Sequence, residues 1–325
     1  WGVRWCLAVF RVIARLPFAC LYTVDPAAVA LLAVLYLLLL YLIRFRRRDF
    51  RRSVVIFLLA CVLGVSGVIS LSAARLLWGR REITVLDVGQ GQSVALLDRT
   101  SAVVVDCGGT GLNDPGNVAA DYLLAAGKRR VDALILTHLH EDHTNGVETL
   151  LYRIPVERVI LPADAADDGE TLAKLLALAE RYGAEVLRPE GDVSGAVGDL
   201  RFTLLQPQAG TEENERGIVV LAEYGERSAL IMGDAGESCE LTLLRRRQVP
   251  DVDILVVGHH GSASGSNPLF LLAARPETAL ISAGGHNSYN LPNEAVAARL
   301  AQYGAAVRCT AEEGHLTISM RGGDG

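Results

Sequence analysis

Several common functional signatures are missing from this sequence. The six cysteines form no CxxC pair and no regular framework, so neither a zinc ribbon nor a disulfide scaffold is indicated. The glycines at 89–91 and 108–109 are followed by no lysine and fit no GxGxxG spacing, which argues against the common nucleotide-binding loops. There are also no repeats and no low-complexity segments. The function must therefore be sought in other residue types.

Lysine is absent from the first 81 residues, which contain twelve arginines and only two acids. This leader has a formal charge of about +10, and since the whole chain carries −6, residues 82–325 carry about −16. A basic, apolar leader is thus joined to an acidic part of ordinary globular composition. We predict two domains, a membrane segment at 1–81 and a globular domain at 82–325.

Two runs of the leader contain no charged residue, 17 residues at 27–43 and 22 residues at 53–74. A transmembrane helix needs about 20 apolar residues, so both runs are predicted to span a membrane. A buried core helix is the alternative for the shorter run. Six arginines lie between the runs, at 44–52, and short arginine-rich loops stay cytoplasmic. The hairpin therefore predicts a multi-pass protein of the cell membrane, with residues 82–325 on the extracytoplasmic side.

The residues before this hairpin predict a further helix. Arg4, Arg11 and Arg15 share one helical face, and Trp5 and Phe10 add apolar bulk, which is typical of a helix lying in the membrane interface. Packing against other protein is the alternative. Because the chain starts with Trp instead of Met, we expect it to be a piece of a longer protein.

After residue 81, short β-branched runs separated by glycine and polar turns predict strands. They alternate with predicted helices and fall into two groups of mixed strands. Such a pattern favours an α/β domain in which two sheets pack together and helices cover the outside. The predicted strands are 83–88, 93–98, 102–107, 132–137, 158–162, 184–189, 200–207, 217–224, 228–234, 253–258, 278–284 and 315–320, and the predicted helices are 118–126, 170–182, 238–247 and 293–303.

Three of the seven histidines lie within six residues, in the segment HLHEDH at 138–143. The segment directly follows the predicted strand 132–137, so His138 and His140 can face one point while Asp142 and His143 turn to a second. Imidazole nitrogens and carboxylate oxygens are zinc ligands. A solvated polar loop would account for one histidine, whereas this cluster predicts a metal site.

Two later strand ends carry further candidate ligands, Asp234 after one strand and the pair His259–His260 after the next. Ligands gathered at the same end of several strands form a metal site on a rigid frame. Only one histidine of the pair need be a ligand. We favour His260, with His259 packing beside it or orienting a ligand, and keep His259 as the alternative ligand.

Three polar residues near the same strand ends have two interpretations each. Asp87 and Asp106 could orient a ligand histidine, or could simply form turns before glycine. Ser262 could bind a phosphate oxygen, or could cap a helix.

The segment at 138–143 matches the HxHxDH signature of the metallo-β-lactamase superfamily, whose fold is an αββα sandwich that binds one or two metal ions. The whole chain resembles one branch of it, the C-terminal domain and preceding membrane hairpin of the ComEC family of competence proteins, which form a DNA-uptake channel. The resemblance is carried by LDVGQGQS at 86–93, VVDCGG at 104–109, LTHLHEDHTNG at 136–146, MGDAGESCE at 232–240 and VVGHHGSASGS at 256–266.

This resemblance implies a metal-dependent hydrolase with one or two divalent ions, Zn or Mn. Asp142 and His143 would carry catalysis, with Asp142 accepting a proton from water, and Asp234 would be shared between ions. The implied ligands are His138, His140, Asp142, His143, Asp234 and His260 or His259.

The chain departs from the family pattern at three places. No histidine occurs from residue 144 to 258, so the mid-domain ligand position, near Gln206–Pro207, lacks its imidazole. The metal position formed by the first two histidines would then have only His138, His140 and the shared aspartate as ligands. Gln92 replaces a family acid, and Leu291 replaces a family histidine.

The favoured hypothesis is a nuclease that degrades incoming DNA, in particular the strand that is not imported. Its partners would be DNA, the membrane, the remainder of the channel and other DNA-uptake machinery. A charge of about −16 argues against broad non-specific DNA affinity. The alternatives are a catalytically weak structural or DNA-guiding domain of the channel, and a hydrolase of a small ester or phosphodiester.

Overall fold

The computed structural model of the chain describes residues 79–163, 169–209, 214–285 and 287–320, and before them only short helical stretches, chiefly 33–40 and 57–64. Within these described parts, no helix is both long enough and apolar enough to cross a membrane. The predicted spans at 27–43 and 53–74, and the predicted helix over residues 4–15, lie largely outside the described residues and stay predictions.

Seven short runs rich in β-branched residues form the first sheet. Its strands are β1 Glu82–Val85, β2 Val94–Leu97, β3 Ala102–Val105, β4 Ala133–Ile135, β5 Arg158–Ile160, β6 Glu185–Leu187 and β14 Leu316–Ser319. The strand order is β14-β1-β2-β3-β4-β5-β6. The pairs from β14 to β3 are antiparallel and those from β3 to β6 are parallel, so the sheet is mixed.

The second sheet repeats this plan. Its strands are β7 Val193–Val197, β8 Leu200–Leu205, β9 Val219–Tyr224, β10 Arg227–Ile231, β11 Ile254–Val256, β12 Thr278–Ile281 and β13 Ala306–Cys309. They lie in the order β13-β12-β11-β10-β9-β8-β7, antiparallel from β7 to β10 and parallel from β10 to β13. Two mixed sheets confirm the α/β class predicted from the sequence.

Helices connect the parallel strands, as parallel pairing requires. They are α1 Pro115–Ala125, α2 Glu141–Thr144, α3 Val147–Arg153, α4 Glu170–Tyr182, α5 Glu237–Arg245, α6 Pro268–Ala274 and α7 Glu294–Gln302. A further short helix, α8 Thr310–Glu313, lies between β13 and β14, which belong to different sheets. The predicted helix at 170–182 coincides with α4, whose apolar face buries Leu175 and Leu178 and whose C-cap is Gly183 in the left-handed region.

The main core lies between the two sheets. It brings Ile83 and Val103 of the first sheet together with Phe202, Val220 and Ile254 of the second. A second apolar cluster joins the outer face of the second sheet to α5, α6 and α7, with members such as Leu243, Phe270 and Leu300. Burying each such side chain contributes roughly 1.5–3 kcal/mol, so the strand ends that carry the candidate ligands rest on a well-packed frame.

Most strands are shorter than predicted, because the chain leaves the sheet where polar side chains begin. The run at 102–107 was predicted as one strand, yet β3 ends at Val105 since Asp106 adopts a positive φ of 59°. The run at 132–137 likewise ends at Ile135, before the histidine segment. Two strands, β7 and β13, and four short helices, α2, α3, α6 and α8, have no counterpart among the predicted elements.

A buried carboxylate holds the loop that follows the histidine pair. Glu240 on α5 accepts hydrogen bonds from the backbone N–H groups of Ser266 and Asn267, both at 2.7 Å. Burial raises the pKa of Glu240 from 4.5 to about 7, against the opposing effect of these two donors. Between pH 4.5 and about 7, Glu240 is therefore protonated in the folded domain and ionised in the unfolded chain.

This difference predicts a pH-dependent stability. Relative to Glu240→Gln, the free energy of unfolding of the wild type should be highest below pH 4.5 and should fall by up to about 3 kcal/mol as pH rises through 7. Urea unfolding of both variants from pH 4.5 to 8 measures the difference. Glu180→Gln, which removes an exposed carboxylate from α4, away from this loop, is the matched control. A constant difference between wild type and Glu240→Gln would contradict the prediction.

Candidate metal centre

The candidate ligands come from both sheets. The segment 138–143 follows β4 of the first sheet and continues into α2. Asp234 follows β10, and the pair His259–His260 follows β11, which is the parallel neighbour of β10 in the second sheet. The structure thus brings together residues that are up to 122 positions apart in the sequence, at the edge where the two sheets face each other.

Four side chains form one cluster, in which one ligand atom of each lies within 4.8 Å of the others: Asp142, His143, Asp234 and His260. The Nε2 atom of His143 is 3.1 Å from Oδ1 of Asp234, and the Nε2 atom of His260 is 3.5 Å from the same oxygen. The Nε2 atom of His260 is also 3.3 Å from Oδ2 of Asp142. Two nitrogens and two carboxylates at such distances suit a divalent ion.

A second cluster shares Asp234 and adds His138 and His140. The Nε2 atom of His138 is 3.1 Å from Nδ1 of His140 and 3.8 Å from Oδ2 of Asp234. The two oxygens of Asp234 therefore face different clusters. His259 lies near the second one, with its Nε2 atom 3.9 Å from the same Oδ2 atom.

Neighbouring acceptors fix the orientation of three ligand rings. Nδ1 of His143 is 2.8 Å from Oδ2 of Asp106, and Nδ1 of His260 is 2.9 Å from the carbonyl oxygen of Ser282. Both oxygens can only accept, so both rings carry the proton on Nδ1. Nδ1 of His138 is 3.1 Å from the hydroxyl of Thr137, whose own proton goes to Asp106 at 2.8 Å. Each ring is thereby left with Nε2 directed towards the cluster, the tautomer that a metal ligand needs.

Asp106 is the hub of this arrangement and is fully buried. Its Oδ2 atom accepts from Gln92, Thr137 and His143, and its Oδ1 atom accepts from the Thr137 backbone N–H at 2.7 Å. Gln92, which replaces the family's acid, supplies an amide donor at 2.8 Å. Of the two interpretations of Asp106 from the sequence, the geometry supports the orientation of a ligand histidine, made possible by the backbone turn at this residue.

Two glycine-containing segments pack against the backbone of the ligands. A Cβ atom at Gly108 would lie 2.4 Å from the Asp142 carbonyl carbon, and one at Gly91 would lie 2.5 Å from the Asp142 oxygen. The close approach allows Gln92 N–H to bind the Asp142 oxygen at 3.1 Å and Cys107 N–H to bind the His143 oxygen at 2.9 Å. The glycines of LDVGQGQS and VVDCGG therefore serve to fix the position of Asp142 and His143.

The electrostatics of the centre favour positive charge next to Asp234. Burial would raise the pKa of Asp234, but His143, by charge and by hydrogen bond, and then His260 hold it well below its usual value. Burial would lower the pKa of His143, but Asp234 and Asp106 raise it well above its usual value. Burial, with the ring of His143, lowers the pKa of His138 well below its usual value, so that ring is neutral.

The residues present fit a divalent metal ion. Nε2 of His143 and Oδ1 of Asp234 are both buried and lie 3.1 Å apart, and neither atom has another hydrogen-bond partner among the described residues. With the His143 proton on Nδ1, two lone pairs meet there, and such a contact is favourable only with a cation between them. A proton or a metal ion can fill this role, and metal ions displace protons from histidine as pH rises.

The other two polar residues near the strand ends, Asp87 and Ser262, have different outcomes. Asp87 makes contacts away from the clusters, because its carboxylate accepts from Gly89 N–H at 3.3 Å and its own N–H donates to His315 at 2.8 Å. Ser262 accepts from the hydroxyl of Ser264 at 3.1 Å and lies in the turn after the histidine pair. For Asp87 the geometry favours the turn interpretation, whereas the phosphate role of Ser262 stays a prediction.

Gln206, near the expected mid-domain histidine position, does not extend towards the clusters. Its side-chain amide donates to the carbonyl oxygens of Pro189 at 2.6 Å and Gly191 at 2.7 Å, and its Oε1 atom accepts from Ala163 N–H at 3.3 Å. Every polar atom of this buried side chain binds backbone, so its role is to join its own segment to two other loops, at 163 and at 189–191.

Sequence reasoning missed Thr137, Ser264 and Ser282, which bind the Nδ1 atoms of three of the histidines. Thr137 immediately precedes His138 and could have been considered. Ser282 acts through its backbone carbonyl, for which no sequence signal exists.

Residues 86–286 match the model of the metallo-β-lactamase superfamily. The chain therefore belongs to this superfamily, whose members are generally metal-dependent hydrolases. In fold it is similar to the metallo-β-lactamase fold protein YhfI from Bacillus subtilis, with a TM-score of 0.53 and 13% identity over 73% of this chain and 99% of that one.

Two curated relatives extend the comparison. The chain is 28% identical to ComE operon protein 3 of Bacillus subtilis (strain 168), over 98% of this chain and 42% of that protein. It is 30% identical to Competence protein ComA of Neisseria gonorrhoeae, over 74% of this chain and 33% of that protein. The predicted resemblance to ComEC competence proteins is confirmed, and the chain spans less than half the length of these two relatives.

The hub role of Asp106 predicts that Asp106→Asn weakens metal binding about 10–100-fold. An amide has one acceptor oxygen in place of two, so either His143 or the Thr137 N–H meets an N–H donor. Competition with a chromophoric chelator measures the affinity. Asp132→Asn is the matched control, because this buried aspartate also binds backbone, at Ala102, next to the opposite end of β4. Equal losses in both variants would contradict the prediction.

Restoring a histidine at position 206 should not restore a ligand. Gln206→His removes two amide donors that satisfy buried carbonyls, so we expect a loss of about 1–3 kcal/mol in the free energy of unfolding. Metal stoichiometry should stay at the wild-type value. Urea unfolding and elemental analysis measure the two quantities, and an additional bound ion would show that the side chain can reach the centre.

Proposed function

We propose that this chain contains a metal-dependent phosphodiesterase, the nuclease domain of a DNA-uptake channel. The observation that carries the proposal is Asp234, a buried carboxylate whose two oxygens face two adjacent ligand clusters. Two metal positions that share a bridging carboxylate suit an in-line displacement at phosphorus, in which both the attacking and the leaving oxygen need stabilisation.

Divalent ions, Zn or Mn, would supply Lewis-acid polarisation of the phosphodiester and would lower the pKa of a water molecule. The protein's part is to hold the ligands and to accept a proton. Asp142 is suited to the proton transfer because its side chain is 32% exposed, whereas those of His143 and Asp234 are almost fully buried. Its Oδ2 atom contacts His260 at 3.3 Å, which keeps the carboxylate directed towards the centre. Asp142 and His143 are therefore the proposed catalytic residues.

The biological setting is proposed from the relatives and from the leader sequence. One relative is named as a competence protein, and the predicted membrane hairpin would place the domain on the extracytoplasmic side of the membrane. The substrate would then be incoming DNA, and the degraded strand would be the one that is not imported. The membrane, the remainder of the channel and other DNA-uptake proteins would be the partners.

The charge of the domain limits how DNA would be held. Residues 82–325 carry about −16, and two divalent ions would return only about +4. Broad non-specific binding through phosphate contacts is therefore not expected. DNA would be delivered to the centre by the rest of the channel, and cleavage by the chain alone should require a high DNA concentration.

A catalytically weak domain that guides DNA is the second candidate. The specific observation that favours it is the second cluster, to which His138, His140 and Asp234 contribute only three ligand atoms within 4.8 Å of one another. With one ligand atom fewer than the first cluster, this position would hold its ion less tightly than the first. This candidate predicts one tightly bound ion and no turnover.

Cleavage of DNA tests the two candidates directly. The full chain, supplied with Mn²⁺ or Zn²⁺, should degrade single- or double-stranded DNA, and Asp142→Ala should lower the rate by about 100-fold or more. Glu180→Ala, which removes an exposed carboxylate on α4, is the matched control and should retain the wild-type rate. One tightly held ion with no cleavage of either substrate would instead favour the guiding role. A small-molecule ester or phosphodiester hydrolase would cleave a chromogenic phosphodiester and leave DNA intact.

A further inference from the structure

The open side of the second cluster faces a histidine that neither cluster includes. Asp234 Oδ1 faces two imidazoles, those of His143 at 3.1 Å and His260 at 3.5 Å. Asp234 Oδ2 also faces two, those of His138 at 3.8 Å and His259 at 3.9 Å. Each oxygen of Asp234 therefore lies near two histidine nitrogens. His259 stands to Oδ2 as His260 stands to Oδ1.

An unusual backbone turn makes this arrangement possible. In a strand, adjacent side chains point to opposite faces, yet His259 and His260 both face Asp234. Both have left-handed backbone angles, with φ of 49° and 55°. Non-glycine residues adopt this conformation at a cost and concentrate at functional sites when they do. A hydrogen bond of 2.9 Å from His259 N–H to the carbonyl oxygen of Gly233, the residue before Asp234, fixes the turn beside the carboxylate.

The side chain of His259 has the tautomer of a ligand. Its Nδ1 atom is 3.2 Å from the hydroxyl of Ser264, and that hydroxyl donates its own proton to Ser262 at 3.1 Å. Ser264 can therefore only accept from His259, which places the ring proton on Nδ1 and leaves the lone pair of Nε2 towards Asp234. Thr137 acts on His138 in the same way. Serine and threonine hydroxyls thus orient the two histidines that face Oδ2.

We propose that His259 is a ligand of the second metal position and replaces the missing mid-domain histidine, with Ser264 as its positioning residue. The ligand set is then His138, His140, His259 and Asp234, three nitrogens and one oxygen, and a water molecule or substrate oxygen would be a fifth ligand. This inference rests on the metal centre of the proposed function and deepens it, because the three-ligand cluster gains a fourth ligand.

Metal binding requires His259 to move towards the cluster, because its ligand atom does not lie within 4.8 Å of all three of His138, His140 and Asp234. Two ligands of a tetrahedral zinc ion lie about 3.3 Å apart, so the 3.9 Å between Nε2 of His259 and Oδ2 of Asp234 must shorten by about 0.6 Å. The side chain is 35% exposed, which leaves the ring room to turn.

Metal titration of the full chain tests the assignment without relying on activity. Metal-free protein is titrated with Zn²⁺ alone, and with Mn²⁺ alone, against a chromophoric chelator. The wild type should bind two ions. His259→Ala should weaken one of them at least 10-fold and leave the other unchanged, and Ser264→Ala should weaken the same ion by a smaller factor. His315→Ala, which removes an exposed imidazole outside the centre, is the matched control.

Double variants identify which ion is affected. His140→Ala with His259→Ala should still hold one ion tightly, because both residues serve the same site. His140→Ala with His260→Ala should hold neither ion tightly, since the two residues serve different sites. His259→Gln keeps the size of the side chain and decides the matter if His259→Ala does not fold. Circular dichroism checks the fold of each variant.

Three results would overturn the assignment: both ions retained at wild-type affinity in His259→Ala and His259→Gln, loss of the ion that depends on His260, or a wild type that holds a single ion. Failure of the proposed function has a different signature. A chain that binds two ions, one of them through His259, and yet leaves DNA intact would retain the ligand assignment and remove the nuclease.

Discussion

The buried carboxylate of Asp234 is the constraint on which the candidate centre depends. A carboxylate removed from water costs several kcal/mol unless opposite charge or donors compensate it. In this protein histidine nitrogens surround it, and its two oxygens are divided between two groups of rings. The Nδ1 atoms of His143, His138 and His260 bind Asp106, Thr137 and the Ser282 carbonyl. These hydrogen bonds turn the rings so that their Nε2 atoms face the buried carboxylate. Each keeps a nitrogen lone pair directed inward, so that the compensating charge must be a cation.

The architecture explains why such a constraint can be maintained. Side chains on flexible loops could turn away from one another to relieve the contact between lone pairs. The candidate ligands follow β4, β10 and β11, whose residues belong to the core between the sheets. Two glycines, at positions 91 and 108, allow neighbouring backbone to approach Asp142 within hydrogen-bonding distance. The packing therefore holds the polar atoms in an arrangement that they would not adopt by themselves.

Much of this organisation could be predicted from the sequence, and the reasons for the misses are physical. Strong alternation of β-branched runs and helices predicted two mixed sheets, and the spacing of His138, His140, Asp142 and His143 predicted a metal site. The convergence of Asp234 and His260 on that segment followed from their positions at strand ends. Residues that act through hydrogen bonds across the fold gave no signal. Gln206 appeared to be a vacant ligand position in the sequence, whereas in three dimensions its amide binds the backbone of two other loops. Asp87 and Asp106 looked equivalent, since each precedes a turn at a strand end, and only the structure distinguishes them.

The division of the ligands between the two sheets has a mechanical consequence. His138, His140, Asp142 and His143 belong to one half of the sandwich, and Asp234, His259 and His260 belong to the other. An ion bound between them would act as a cross-link between the two sheets at one rim of the sandwich. A ligand that binds only the folded state at a thousand times its dissociation constant adds about 4 kcal/mol to the free energy of unfolding. Metal supply would then regulate how firmly the two layers of the domain are held together, independently of any reaction that takes place at that rim.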